Sequence, residues 1–249
     1  MTDSAGCDYT RGRRDLREIG ELPGILSRVR AVVFDLDGTL VDSVGNIIAC
    51  ARQAFARLNL PAPADHLIMA TIGMTLEDGL TSLLPKEQKM RGGELTAAYR
   101  GVFVATPQYM NAALFAGAEE LAALLRERGY KVGYASGRSE EGVRRTLDGT
   151  RLGLHCDAIA SGSEAPSKPD PAMMFKICER LSLAPHEVLG VGDSGLDIMM
   201  YHEAGSPALG VQSGVWSGEA LLALEKPPEI LLKEVSELLC YLKNGSLPA

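Results

Sequence analysis

The chain of 249 residues is 46% hydrophobic and 23% charged, and its formal net charge is −7. This length allows one or two domains with buried cores, and the acidic balance argues against a broad nucleic-acid surface, which needs a basic face. No apolar run approaches the roughly 20 residues that cross a bilayer. We therefore expect no nucleic-acid partner, no membrane partner and a cytoplasmic location.

The N-terminal segment, residues 1–29, is predicted to be a solvated extension, and a role for it in binding a partner stays open. It contains a basic cluster at Arg11, Arg13 and Arg14, but no apolar core follows, so it lacks the pattern of a secretory signal. The five cysteines are scattered without a CxxC pair. That distribution indicates reduced thiols and neither a zinc site nor a disulfide framework.

Short, nearly continuous apolar runs alternate with amphipathic stretches along most of the chain. Such runs are typical of strands that are covered on both faces. The stretch GAEELAALLRERGY has acidic residues early, basic residues late and a stopping Gly129, which is the order that a helix favours. This rhythm predicts an α/β fold with a parallel sheet and helices on both faces. The predicted strands are residues 31–34, 131–136, 157–160, 188–192 and 207–211.

The segment 44–112 breaks this rhythm, because it contains helical patterns and no good strand. An insertion of this size after the first strand predicts a separate small helical domain. It would lie beside the carboxyl end of that strand, where open α/β sheets bind ligands. We therefore predict an extension at 1–29, a core formed by 30–43 and 113–249, and an inserted helical domain at 44–112.

Polar residues follow the predicted strands at one edge of the sheet. Because the carboxyl ends of parallel strands share that edge, residues far apart in sequence are expected to converge there. This convergence is a stronger signal of a site than any one motif. The residues are Asp35 and Asp37 after the first strand, Ser136, Gly137 and Arg138 after the second, Lys168 after the third, and Asp193 and Asp197 after the fourth.

Four motifs occur in this set: DLDGT, a serine after the second strand, a lysine before PDP, and GDSGLD. Together they resemble the haloacid dehalogenase superfamily, in the branch of phosphoglycolate phosphatase and beta-phosphoglucomutase that carries a helical cap after the first motif. The resemblance covers residue 31 to the C-terminus. It implies a Rossmann-like parallel core, an inserted α-helical cap and a Mg²⁺ cofactor.

The resemblance also implies a role for each matching residue. Asp35 would be the nucleophile that becomes an aspartyl-phosphate, and Asp37 would be the acid/base. Ser136 and Lys168 would hold the phosphoryl group. The magnesium site would be formed by Asp35, Asp37, Asp193 and Asp197.

Physical chemistry supports these roles. Phosphoryl transfer needs an in-line nucleophile and compensation of the charge on the equatorial oxygens. Mg²⁺ prefers oxygen ligands, and Lys168 would add a fixed positive charge. Backbone N–H groups near Asp37 and Gly137 would form an anion nest. Arg138 is expected either to meet a second anionic group on the substrate or to form a structural ion pair.

The expected function is Mg²⁺-dependent hydrolysis of a small phosphorylated metabolite by a monomer or a homodimer. The segment TIGMTLEDGL, residues 71–80, resembles the specificity loop of phosphoglycolate phosphatase-like caps. Its neutral centre offers no cation for a second carboxylate, which disfavours phosphoglycolate itself. Two alternatives stay open: a phosphomutase similar to beta-phosphoglucomutase, and a non-catalytic protein that binds a phosphometabolite or a partner.

Overall fold

The computed structural model describes residues 21–244. A single six-stranded sheet forms its centre, with the strand order β3-β2-β1-β4-β5-β6, and every neighbouring pair is parallel. The predicted α/β class with a parallel sheet is confirmed. The strands are β1 (Ala31–Phe34), β2 (Lys131–Ser136), β3 (Ala158–Ser161), β4 (Val188–Gly192), β5 (Ala208–Val211) and β6 (Ile230–Leu232).

Helices connect the strands and cover the sheet. Three short 3₁₀ turns, Lys86–Arg91, Arg151–His155 and Pro185–Glu187, complete the connections. The helices are α1 (Leu22–Leu26), α2 (Val44–Arg57), α3 (Asp65–Met69), α4 (Leu76–Ser82), α5 (Gly92–Ala105), α6 (Pro107–Met110), α7 (Ala118–Glu127), α8 (Glu140–Asp148), α9 (Ala172–Leu181), α10 (Gly195–Ala204), α11 (Gly218–Leu222) and α12 (Val235–Asn244).

The strands are largely apolar, as expected of a sheet whose two faces are both buried. Successive side chains of a strand point to opposite faces, and β1 illustrates this. Val32 and Phe34 pack in one hydrophobic cluster, whereas Ala31 and Val33 pack in a second cluster on the other face. The first cluster also contains Leu22 of α1, so part of the predicted extension packs against the sheet.

Helices and the loops between them make up residues 44–110, with no sheet strand among them, and these residues have a hydrophobic cluster of their own. Phe55 of α2, Leu80 of α4 and Leu95 of α5 belong to that cluster. The segment's two ends run side by side: the Asp42 N–H donates to the Ala113 carbonyl at 2.8 Å, and the Phe115 N–H donates to the Leu40 carbonyl at 2.9 Å. The division into domains stays a prediction.

The structure bears on two expectations that were drawn from the composition. Cys50, Cys156 and Cys178 carry free thiols, but Cys240 is disulfide-bonded, so the expectation of reduced thiols is wrong at Cys240. Within residues 21–244, no helix combines the length and the apolar character that crossing a membrane requires.

Candidate active site

The candidate site lies at the carboxyl edge of the sheet, around its central strand. Asp35 follows β1 directly, Ser136 ends the neighbouring β2, and Asp193 follows β4 on the other side. The structure therefore brings together residues separated by more than 150 positions. The predicted polar residues at this edge are also deeply buried, each at most 8% exposed: Asp35, Asp37, Ser136, Lys168, Asp193 and Asp197.

Three of these carboxylates form a tight acidic group. Asp35, Asp193 and Asp197 each contribute one oxygen, and these oxygens lie within 4.8 Å of one another. Lys168 is the cation beside them: its Nζ atom lies 2.6 Å from an oxygen of Asp35 and 2.6 Å from an oxygen of Asp197. The ammonium also donates to the Ala135 carbonyl at 2.9 Å. One lysine thus faces three carboxylates.

Burial and mutual repulsion shift the pKa values of this group. Burial raises the pKa of Asp35 well above its usual value; Lys168 lowers it in part, and the neighbouring carboxylates raise it further. Burial and the charge of Asp197 raise the pKa of Asp193 to about 7. Burial lowers the pKa of Lys168, but Asp197 and Asp35 outweigh it and the net pKa is raised. One lysine does not balance three buried carboxylates, and their oxygen donors fit a hard divalent cation such as Mg²⁺.

Neighbouring hydrogen bonds hold the acidic group in place. The Thr39 hydroxyl donates to Asp193 at 3.1 Å, and the Val215 N–H donates to the same carboxylate at 2.7 Å. Ser194 is the N-cap of α10, and its hydroxyl donates to Asp197 at 2.6 Å. Sequence reasoning did not assign these residues. The spacing Ser-x-x-Asp at 194–197 is nevertheless a capping-box signal, and Thr39 lies within the quoted DLDGT motif.

Asp37 lies apart from the acidic group and pairs with Arg138. The Arg138 Nε atom donates to one Asp37 oxygen at 2.7 Å, the Nη2 atom donates to the other, and Ser43 donates a further hydrogen bond to Asp37. Burial raises the pKa of Asp37, but the Arg138 charge and these hydrogen bonds outweigh it, so the net pKa is lowered. The remaining Arg138 nitrogen donates to Thr146 Oγ1 at 2.7 Å. The metal-binding role expected for Asp37 and the substrate contact expected for Arg138 stay predictions.

The loop after β2 contacts the helical segment closely. The Ser136 hydroxyl accepts a hydrogen bond from the Arg138 N–H at 3.3 Å. A Cβ atom on Gly137 would lie 2.1 Å from the Met74 carbonyl oxygen, so only glycine fits beneath the segment 71–75. The Thr75 N–H donates to Ser167 Oγ at 2.9 Å, next to Lys168. The helical segment therefore lies against the candidate site.

The chain is similar to known proteins of one family. The family model described as haloacid dehalogenase-like hydrolase matches residues 32–211. A protein of Dickeya dadantii (strain 3937), named probable phosphatase IndB, is 32% identical over 87% of this chain and 96% of its own length. A phosphoglycolate phosphatase of Yersinia pseudotuberculosis (serotype I, strain IP32953) is 29% identical over 85% of this chain and 92% of its own length.

The fold also matches a solved structure. A haloacid dehalogenase-like family hydrolase from Streptococcus pneumoniae superposes with a TM-score of 0.72, at 24% identity, over 86% of this chain and 99% of that one. This likeness concerns the fold, whereas the family model matches the stretch that contains the site residues from Asp35 to Asp197. The chain belongs to the haloacid dehalogenase-like hydrolases.

Proposed function

We propose that this protein is a phosphatase that hydrolyses a small phosphorylated metabolite through an aspartyl-phosphate on Asp35. The observation that carries the proposal is the buried contact between Asp35 and the Lys168 ammonium, 2.6 Å apart, beside two further carboxylates. A carboxylate can attack a phosphoryl group only where the negative charges of both are offset. The names of the Dickeya and Yersinia relatives support the same reaction class.

In the proposed first step, an Asp35 oxygen forms a bond to phosphorus while the bond from phosphorus to the ester oxygen breaks. Asp37 gives its proton to the departing oxygen, which leaves as an alcohol. In the second step Asp37 removes a proton from water, the water oxygen attacks phosphorus, and the bond to Asp35 breaks. Phosphate is released, and both carboxyl groups return to their starting state.

The pair between Asp37 and Arg138 favours the ionised carboxylate, which is the form that the second step needs. The first step needs the protonated form. The mechanism therefore requires the contact with Arg138 to loosen, or the proton to arrive with the substrate's phosphate monoanion. Ser136, the Gly137 backbone and Lys168 are proposed to hold the phosphoryl oxygens, and Arg138 to contact the substrate once it is released from Asp37.

The acidic group is proposed to hold Mg²⁺. Asp35, Asp193 and Asp197 would be its carboxylate ligands, and the family resemblance adds Asp37. A bound Mg²⁺ would neutralise charge on the phosphoryl oxygens. A cytoplasmic location and a monomeric or homodimeric state belong to the same proposal.

The test is phosphate release from a panel of phosphorylated sugars, short organic acids and nucleotides, with Mg²⁺ or with EDTA. We expect release with Mg²⁺ only, and we expect Asp35→Asn to lower kcat on the order of 10³-fold or more because no nucleophile remains. The unfolding curve of Asp35→Asn checks that the fold persists. Mass spectrometry of acid-quenched wild-type protein should detect a phosphoryl group on Asp35.

The Asp35→Asn preparation also controls for a contaminating phosphatase. A wild-type rate in a clean preparation of this variant would overturn the nucleophile assignment. A phosphorylated Asp35 without phosphate release would favour the phosphomutase alternative. If no compound gave either phosphate release or a phosphorylated Asp35, the non-catalytic alternative would be favoured.

A further inference from the structure

A cavity of about 430 Å³ lies between the helical segment and the loop and helix that follow β2. Helices α2, α4 and α5 contribute one wall, and α8 contributes the other. Asp37, Gly137 and Arg138 line the cavity at its catalytic end. A phosphate group bound near Asp35 would therefore leave the rest of its substrate facing this space.

The wall formed by the helical segment is mainly apolar. Tyr99 and Phe103, one turn apart on α5, stack with their ring centroids 6.4 Å apart, and both line the cavity. Apolar walls favour ligands that bring apolar surface out of water. Four more of the apolar residues in this wall are Ile47, Ala51, Ile72 and Leu80.

The cationic side chains that line the cavity are engaged or lie at its rim. The Arg138 guanidinium lies at the catalytic end of the cavity, where it donates to Asp37 and Thr146, so it adds no cation to the wall formed by the helical segment. Arg145 is paired with Glu141 at 2.6 Å, and Arg100 is exposed. The part of the cavity lined by Tyr99 and Phe103 therefore suits neutral groups better than a second carboxylate.

The size of the cavity leads to the same conclusion. Pockets of about 300–1,000 Å³ enclose ligands of many heavy atoms, whereas a two-carbon acid would leave most of a 430 Å³ space unfilled. Apolar wall that the ligand does not cover stays in contact with water, which is unfavourable. A bulky organic group would gain those contacts.

We propose that the preferred substrate is a phosphomonoester of a bulky, largely apolar alcohol, large enough to carry an aromatic ring, whose organic part occupies this cavity. Where it concerns turnover, the inference rests on the proposed phosphatase function. The cavity wall formed by α2, α4 and α5 would select the organic group of the substrate.

The test compares primary alkyl phosphates whose leaving groups have similar intrinsic reactivity: ethyl, butyl, hexyl and 2-phenylethyl phosphate, with phosphoglycolate beside them. We expect kcat/KM to rise about three- to fourfold per methylene group. We also expect 2-phenylethyl phosphate to exceed both ethyl phosphate and phosphoglycolate on the order of 10²-fold. A flat series, or a preference for phosphoglycolate, would overturn the inference while phosphate release still supports the proposed function.

Variants locate the effect. Phe103→Ala should lower the ratio of kcat/KM between 2-phenylethyl and ethyl phosphate about tenfold or more, and Ile47→Ala serves as a second variant on α2. Met90→Ala is the matched control, because Met90 is 91% exposed and lies outside the cavity. An unchanged ratio in both folded cavity variants would contradict the proposed position of the organic group.

A binding measurement separates failure of the inference from failure of the proposed function. Calorimetry would compare ethylphosphonate with 3-phenylpropylphosphonate, neither of which can be hydrolysed, on the wild-type protein with Mg²⁺. Tighter binding of the phenyl compound without turnover of any ester would support the inference and count against the phosphatase. Equal binding, or no binding of either compound, would overturn the inference.

Discussion

Two cations at the candidate site, Lys168 and Arg138, have different surroundings. The Lys168 side chain is fully buried between Asp35 and Asp197. The Arg138 side chain is 22% exposed and pairs with Asp37. Lys168 is therefore bound into the acidic group, whereas Arg138 lies on the wall of the cavity and holds a carboxylate outside that group.

The Asp37–Arg138 pair should contribute to stability in a pH-dependent way. Replacing Arg138 with Gln leaves Asp37 buried without its cation, so we expect the free energy of unfolding near pH 7 to fall by about 3 kcal/mol. The folded-state pKa of Asp37 lies below its ordinary value of about 4. The contribution is therefore complete above that value, and it is lost as the pH falls through the folded pKa.

Urea titrations of Arg138→Gln and the wild type, near pH 7 and near pH 3.5 with EDTA, measure this difference. It should shrink at the lower pH. Arg144→Gln is the matched control, since Arg144 forms an exposed pair with Glu140 and exposed pairs of this kind contribute below about 0.5 kcal/mol. Equal losses of unfolding free energy in both variants would show that the buried Asp37–Arg138 pair stabilises the fold no more than the exposed pair does.

At this scale the sequence predicted which residues converge, because motif spacing and strand order fix them. It did not predict that Asp37 and Arg138 would pair with each other. An ion pair was one of two expectations for Arg138, but its partner could not be read from the sequence, because buried opposite charges pair according to how the loops pack. Ser43, which donates to Asp37, was overlooked for the same reason.

At the scale of elements, the contact between Gly137 and the segment 71–75 links the sheet edge to the helical segment. The added Cβ of Gly137→Ala would meet the backbone oxygens of Met74 and Gly73 at 2.1 and 2.6 Å. Backbone atoms cannot rotate away as a side chain can, so the segment must shift. We expect kcat/KM to fall on the order of 10²-fold, as a misplacement of about 1 Å can cause.

Amide hydrogen exchange at Thr75, whose N–H donates to Ser167 Oγ, should report the shift as faster exchange in Gly137→Ala. Gly45→Ala is the control: a Cβ on Gly45 meets nothing within 4 Å, and alanine within helix α2 should stabilise by about 0.5–1 kcal/mol. Unchanged activity and unchanged exchange in Gly137→Ala would contradict the tight contact.

Strand bounds were largely predictable from the sequence. The predictions for β1, β2 and β4 are confirmed; β3 begins and ends one residue later than predicted, and β5 begins one residue later. The edge strand β6 was missed, because its three residues follow two prolines and give too short an apolar run to distinguish. The cavity was not predictable either, since it depends on how helices pack and not on the pattern of any one helix.

At the scale of the whole molecule, the hydrophobic cluster of the helical segment is separate from the two clusters on the sheet. Leu95 is fully buried in the helical cluster. Leu95→Ala should therefore cost about 2–5 kcal/mol, mainly within residues 44–110. Amide hydrogen exchange should show lost protection in α2 and α5, with β1 and β4 still protected.

Leu189→Ala is the comparison variant, because Leu189 is equally buried in a cluster on the sheet. It should reduce protection throughout the described part of the chain. If Leu95→Ala lowered protection in β1 and β4 as much as in α2, the molecule would unfold as one unit, and the predicted division between helical segment and sheet would be wrong.

The hydrogen bonds that join Asp42 to Ala113 and Leu40 to Phe115 have a consequence for redesign. Because the chain leaves the sheet and returns to it at neighbouring points, an inserted segment of a different length would begin and end at the same two positions. The 44–112 segment should therefore be exchangeable as a unit: a helical segment from a relative can be grafted between Asp42 and Ala113. Such a chimera would acquire a new wall for its ligand while Asp35 and Lys168 stay on an unaltered frame.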